Sequence, residues 1–127
     1  PGHWNQSFLV ITPILDIELL EYSLIKLVEH HDSLRLGYQQ QSKGIKQFYN
    51  EVPTNIKLNY LDLNILNEEE GSQEFINKIN TILTSWQDTF NLTNDNPLYS
   101  FGYITGYKDG SSRVFFAMHH LIIDAVS

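Results

Sequence analysis

The strongest constraint on the fold is a segment near the end of the chain, residues 113–120 (RVFFAMHH), that is largely apolar at consecutive positions. Consecutive side chains of a strand point to opposite faces, so a strand of this kind has both faces buried. It is preceded by the turn signal KDGS at residues 108–111 and by an apolar, aromatic stretch at residues 98–104. We therefore predict a hairpin whose second strand lies inside a layered α/β structure.

Two other segments show the spacing of amphipathic helices. From Asp16 to about His31, apolar residues recur mainly at three-, four- and seven-residue steps, and Asp16 is the expected N-cap. A second helical pattern runs from Asn67 to about Thr89 and begins with three consecutive glutamates, which suit the positive end of a helix. Short extended segments are predicted at residues 3–11, 46–52 and 57–63.

Composition excludes several classes of function. The 127 residues are 42% hydrophobic and 18% charged, which is typical of one globular domain. Fifteen acidic against eight basic residues leave a formal charge of -7, so no basic field is available for nucleic acid. Cysteine is absent, and no apolar run is long enough to cross a membrane. We expect a cytoplasmic protein that contacts neither nucleic acid nor membrane.

The most informative residues follow the apolar strand, in the run His119-His120-Leu-Ile-Ile-Asp124. Adjacent strand residues face opposite ways, so we expect His120 to share a face with Met118 and His119 to lie on the other. Asp124 is an acid among apolar neighbours and needs a cation or several hydrogen-bond donors. The chain also begins without methionine and stops at Ser127, directly after this run, and we expect both ends to be cut.

This run resembles the His-His-x-x-x-Asp-Gly signature of the condensation superfamily of nonribosomal peptide synthetases, with Ala125 at the position of the glycine. Residues 3–9 (HWNQSFL) are similar to the family's early strand. Residues 30–36 (HHDSLRL) are similar to the helix end that precedes its second strand. The form His-His-Leu-x-x-Asp-x-Val-Ser, with the His-Trp-Asn-Gln stretch, is more like the epimerization branch than the condensation branch.

The resemblance implies an α/β fold of the α+β sandwich kind, the chloramphenicol acetyltransferase-like amino-terminal lobe, with a mixed sheet flanked by helices. Residues 1–127 would be a partial lobe that ends just after the motif. His120 would be the catalytic residue, transferring a proton at Cα of a thioester. His119, Asp124 and Arg35 would support the site, with Asp124 and Arg35 as a structural ion pair.

The resemblance also implies the partners. The substrate would arrive on the phosphopantetheine of a peptidyl carrier protein, and no metal or other cofactor would be bound directly. The absent carboxy-terminal lobe and the adjacent synthetase modules would complete the enzyme, so this segment alone should be inactive.

Three alternatives remain open. The first is condensation, in which His120 would orient or deprotonate an attacking α-amine. The second is a non-catalytic docking or scaffold module, and the third is a stand-alone acyltransferase of the same fold. His30 and His31 are interpreted as helix-terminal residues rather than metal ligands, because imidazolium is favourable at the negative end of a helix.

Overall fold

The computed structural model describes residues 5–88, residue 90 and residues 97–126, with the side chains of residues 124–126 outside that description. His3 and Trp4, at the beginning of the predicted first strand, also lie outside the described residues. Within the described part, no helix combines the length and apolar character needed to cross a bilayer.

A four-stranded mixed sheet, in the order β1-β6-β5-β4, forms the centre of the structure. β6 (Ser112–His119) pairs antiparallel with both β1 (Asn5–Thr12) and β5 (Tyr99–Thr105). β4 (Leu58–Asp62) pairs parallel with β5. The predicted hairpin is confirmed, and so is the interior position of its second strand, since β6 has a neighbour on each edge.

Helices cover both faces of this sheet. α1 (Ile17–His30) buries Leu24 and Val28 in a cluster that also contains Phe101 of β5. α2 (Gln73–Ser85) lies on the other face, in a cluster that contains Ile104 of β5. Phe101 and Ile104 are three positions apart along one strand and therefore point to opposite faces. The layered α/β arrangement predicted from the apolar strand is confirmed.

α1 begins where its sequence predicts. The Asp16 carboxylate oxygen Oδ1 accepts a hydrogen bond from the backbone N–H of Leu19 at 3.0 Å, which satisfies one of the unpaired donors of the first turn. The helix ends at His30, and a 3₁₀ turn at Asp32–Arg35 follows immediately. The predicted helix and its N-cap are therefore confirmed.

A small separate hairpin follows α1. β2 (Leu36–Gln41) and β3 (Gly44–Tyr49) pair antiparallel with each other. The extended segment predicted at residues 46–52 corresponds to β3, which begins and ends earlier than expected. β2 was not predicted from its own residues, although the resemblance of residues 30–36 implied a strand after them. Only the first residues of β2 are buried, and its polar end (QQQ) lies exposed, so no apolar alternation marks it as a strand.

The beginning of α2 differs from the prediction. Ser72 is the N-cap, and its hydroxyl accepts from the backbone N–H of Phe75 at 3.2 Å. The preceding glutamates lie outside the helix: Glu68 pairs with Lys78 at 3.0 Å, and Glu70 accepts the backbone N–H of Lys108 at 3.0 Å. The helix therefore begins at the serine N-cap, two residues after the acidic run, and not at the acidic run itself. The helix ends at Ser85, and Thr89 lies outside the described residues.

The end of the described chain also differs from the prediction. The apolar strand was expected to continue through His120, but β6 ends at His119 and α3 (His120–Val126) begins at the next residue. The expectation that His120 shares a strand face with Met118 is therefore wrong, because strand alternation no longer applies to a helical residue. Ile122, fully buried in the cluster beneath α1, holds α3 against the body of the structure.

Candidate functional site

The two histidines of the motif stand at the junction of β6 and α3. His119 is the last residue of the interior strand, where its register partner is Asn5 of β1. Its backbone N–H donates to the carbonyl of Leu98 at 2.8 Å, which ties the end of β6 to the residue before β5. The junction is therefore anchored on both sides by neighbouring strands.

The His119 side chain is half-buried and contacts the backbone of the residues that follow it. Its Nδ1 accepts a hydrogen bond from the backbone N–H of Leu121 at 3.1 Å, and its ring lies 6.5 Å from that of Phe90. Burial lowers the pKa of His119, and repulsion by His120 acts in the same direction. The neutral imidazole is thus the favoured form at this position.

His120 is the first residue of α3 and is exposed. Helix residues two apart do not share a face, so the burial of Ile122 beneath α1 turns His120 away from that core. An imidazole at the end of a buried strand, but outside the core, is in a position to meet a ligand. Its catalytic role remains a prediction.

Arg35 lies at the end of the 3₁₀ turn and binds backbone carbonyls. Its Nη1 donates to the carbonyls of Val28 at 2.8 Å and Glu29 at 3.0 Å, and its Nε donates to that of Asn50 at 3.1 Å. The guanidinium therefore links the negative end of α1 to the end of β3. This connection was not predicted from the sequence.

The predicted partner of Arg35, Asp124, lies on α3, but its side chain is outside the described residues. The backbone arrangement brings the two segments together: Leu34, adjacent to Arg35, and Ile122 of α3 belong to one buried cluster. The ion pair between Arg35 and Asp124 remains a prediction.

His30 and His31 end α1 and are both exposed. The backbone N–H of His31 closes the last turn by donating to the carbonyl of Leu27 at 3.1 Å. Among the described residues, no group of three or more histidine, aspartate or glutamate side chains is arranged to hold a metal ion.

A cavity of about 410 Å³ lies between the 3₁₀ turn, the segment before β4 and the beginning of β5. Its polar lining includes Arg35, Lys57, Asn59 and Tyr99. Burial raises the pKa of the Tyr99 phenol, against the opposing charge of Arg35. Neither motif histidine belongs to the described lining of this cavity. The sequence contains no signal for the cavity, because its walls come from segments that are distant in the chain.

The sequence profile of the condensation domain matches residues 1–127. The chain belongs to the condensation domain family. It is 37% identical to an N-(5-amino-5-carboxypentanoyl)-L-cysteinyl-D-valine synthase from Penicillium rubens over 127 residues, covering all of this chain and 3% of that protein. It is 28% identical to tyrocidine synthase 2 from Brevibacillus parabrevis over 126 residues, covering 98% of this chain and 3% of that protein.

Solved condensation-family structures show the same fold. The epimerization domain from the third module of tyrocidine synthetase B superposes with a TM-score of 0.73 at 24% identity, over 93% of this chain and 25% of that one. The starter condensation domain of rhizomide synthetase superposes with a TM-score of 0.70 at 18% identity, over 93% of this chain and 27% of that one. The predicted family and its chloramphenicol acetyltransferase-like fold are confirmed.

Proposed function

We propose that this chain is part of the amino-terminal lobe of a nonribosomal peptide synthetase domain that epimerizes a carrier-bound aminoacyl or peptidyl thioester at Cα. The observation that carries the proposal is the position of His120, exposed at the end of an interior strand and at the beginning of α3. Such a placement combines a rigid base with access for a substrate.

Two observations support the proposal of epimerization within the family. The Penicillium rubens relative is named for a product that carries a D-valine residue. The form His-His-Leu-x-x-Asp-x-Val-Ser in this chain also resembles the epimerization branch. The position of His120 suits epimerization and condensation alike, so the finer assignment rests on these two observations.

In the proposed reaction, the neutral imidazole of His120 removes the Cα proton of the thioester. The electron pair of the C–H bond moves toward the thioester carbonyl and forms an enolate. An acid on the opposite wall, which the carboxy-terminal lobe would supply, then gives a proton to Cα from the other face as the enolate returns to the thioester. Imidazole exchanges protons at physiological pH, and proton transfer of this kind contributes typically 10² to 10⁴ in rate. Positioning and stabilisation of the enolate oxygen would supply the rest.

The remaining parts of the enzyme are also proposals. The substrate would be carried on the phosphopantetheine of a peptidyl carrier protein, and a carboxy-terminal lobe would form the other wall of the site. The chain spans about a quarter of the solved domains that it matches, and residues 1–127 alone are expected to be inactive. Asp124 and Arg35 would hold α3 against the 3₁₀ turn, and the compartment would be the cytoplasm.

Condensation is the second candidate. The starter condensation domain matches this chain nearly as closely in TM-score as the epimerization domain does. In that reaction, His120 would orient or deprotonate the α-amine that attacks the donor thioester, and an amide would form in place of an inverted Cα.

The test uses the complete synthetase with an L-aminoacyl thioester loaded on its carrier protein, in deuterated buffer. Epimerization predicts deuterium uptake at Cα, D-configured product, and loss of both in His120→Ala. The matched control is His31→Ala, which removes another exposed histidine, at the end of α1, and should retain activity.

Other results separate the alternatives. Amide formation with an added acceptor, without uptake at Cα, would assign the domain to condensation. Uptake that persists in a folded His120→Ala variant would remove His120 from the mechanism. Turnover by residues 1–127 alone would contradict the requirement for a second lobe.

A further inference from the structure

The cavity beside the beginning of β5 has no part in the proposed chemistry at Cα. Its volume of about 410 Å³ lies within the usual range of small-molecule sites in proteins. Its apolar walls include Ile56, Trp86 and Phe101, and polar side chains stand among them. This combination is typical of a site that encloses an organic ligand and orients it by a few polar contacts.

The cavity lies at the same end of the sheet as the histidine motif. Pro97 and Tyr99, the residues on either side of Leu98, both line it. The carbonyl of Leu98 itself accepts the backbone N–H of His119 at 2.8 Å. The end of β6 that carries the motif is therefore bonded to the segment that forms one wall of the cavity.

His120 lies within the reach of a short peptide from this cavity. Leu34 lines the cavity and shares a buried cluster with Ile122 of α3. Tyr99 pairs with Met118, two residues before His120, so the Cα atoms of Tyr99 and His120 are at most about 13 Å apart. An extended peptide advances about 3.3–3.6 Å per residue, and about four residues therefore span this distance.

Two polar groups of the lining suit the N–H and C=O of a peptide. Among the described residues, the Tyr99 hydroxyl has no hydrogen-bond partner, and burial raises its pKa, so it stays protonated and can donate. The amide Nδ2 of Asn59 donates to Oγ of Ser100 at 3.1 Å and to the carbonyl of Phe101 at 3.0 Å. Both amide protons are thereby committed, and Oδ1 of Asn59 is left as an acceptor.

The charges of the lining argue against a phosphate ligand. The described lining contains two cations, Arg35 and Lys57, and one anion, Glu51. Nη1 and Nε of Arg35 are already bonded to three backbone carbonyls. A lining with this balance offers little attraction to a multiply charged group and suits a neutral peptide segment.

We propose that this cavity binds an upstream residue of a carrier-bound peptide, so that the domain acts on a peptidyl thioester in preference to an aminoacyl thioester. The inference rests on the proposed role of His120. It gives the cavity a ligand of defined chemistry, a neutral peptide segment at most about four residues from the thioester. Tyr99 and Asn59 are the groups that bind it.

The test compares two substrates in the complete synthetase in deuterated buffer. The carrier is loaded with an L-aminoacyl thioester or with a peptidyl thioester that ends in the same amino acid and is long enough to reach the cavity. The rate of deuterium uptake at Cα is measured for each. The wild type should process the peptidyl substrate faster, and the ratio of the peptidyl to the aminoacyl rate is the quantity that the variants change.

Asn55→Trp fills the cavity from its rim, because Asn55 belongs to the lining and is exposed. The ratio should fall about 10-fold or more, since the peptide then has to enter a space that is already occupied. The matched control is Asn64→Trp, at an exposed asparagine that follows β4 at its other end and does not belong to the described lining. The control should leave the ratio unchanged.

Tyr99→Phe provides a second, milder variant. It removes the hydroxyl and keeps the ring, whose centroid lies 5.0 Å from that of Phe101. The ratio should fall about 2- to 10-fold, the effect of one hydrogen bond. If Asn55→Trp does not fold, Tyr99→Phe decides. An unchanged ratio in the folded variants would overturn the inference, and so would equal loss of both rates in Asn55→Trp, the result expected if another segment of the synthetase fills the cavity.

The same measurements separate this inference from the proposed function. Absence of deuterium uptake with both substrates would refute epimerization, and the inference would fall with it. Uptake with both substrates that is lost in His120→Ala, together with an unchanged ratio in Asn55→Trp and Tyr99→Phe, would refute the peptide site alone.

Discussion

Gly102, in the middle of β5, leaves no room for a side chain. A Cβ at this position would lie 2.3 Å from Cζ3 and 2.6 Å from Cε3 of Trp86, whereas carbon atoms in contact are about 3.5–4.0 Å apart. The indole packs edge-on against the buried ring of Phe115 at 5.5 Å between centroids, which restricts its withdrawal on that side. Gly102→Ala therefore requires a shift of about 1 Å or more between strand and indole.

The expected cost is in the upper part of the range for overpacking, about 2–3 kcal/mol of unfolding free energy. The matched control is Gly37→Ala in β2, where the clash is with Cζ of Phe48 at 2.6 Å. That atom is the far end of a partly exposed ring in the separate two-stranded sheet, so we expect a smaller loss, below about 1 kcal/mol.

A double-mutant cycle tests the steric cause. Trp86→Leu removes the atoms that the new methyl would meet, so the combined variant should be more stable than the sum of the two single changes predicts, by about 1–2 kcal/mol. The measurement is chemical denaturation of the complete domain followed by circular dichroism. Additivity within about 0.5 kcal/mol, or a neutral Gly102→Ala, would refute the reasoning.

Three further changes test other contacts. Tyr103→Phe removes the hydroxyl that accepts a hydrogen bond from the Leu15 N–H at 2.7 Å, and it should lower the free energy of unfolding by about 1–3 kcal/mol in chemical denaturation. The control Tyr60→Phe, at a residue 52% exposed, should lower it by less than about 0.5 kcal/mol. Arg35→Ala leaves three backbone carbonyls without the guanidinium and should cost about 1–3 kcal/mol by the same assay; an unchanged midpoint would contradict it. The pKa of His119 is lowered in the folded chain, so its contribution to stability is complete above the unfolded pKa of about 6.5 and is lost as pH falls through the folded pKa. Thermal scans at several pH values should therefore show a smaller loss of stability at low pH in His119→Asn than in the wild type.

Some features of the fold were predictable because their causes are local. Asp16 and the apolar spacing after it encode both the beginning of α1 and its buried side, and the structure confirms both. The turn at residues 108–111 and the apolar strand after it likewise predicted the β5–β6 hairpin. Local signals failed where two of them competed, since the helix expected from Asn67 begins only after Ser72.

The motif, the amphipathic periods and the interior strand are properties of the sequence by itself, because each depends on residues within one helix or one hairpin. The tertiary structure alone decided that the chain leaves the sheet at His119, because the helical turn is held by burial of Ile122 with Leu34, far away in the sequence. It alone also connected Arg35 to the end of α1 and to Asn50, and brought His119 to the N–H of Leu121. Contacts of these kinds depend on side-chain directions that no periodicity encodes.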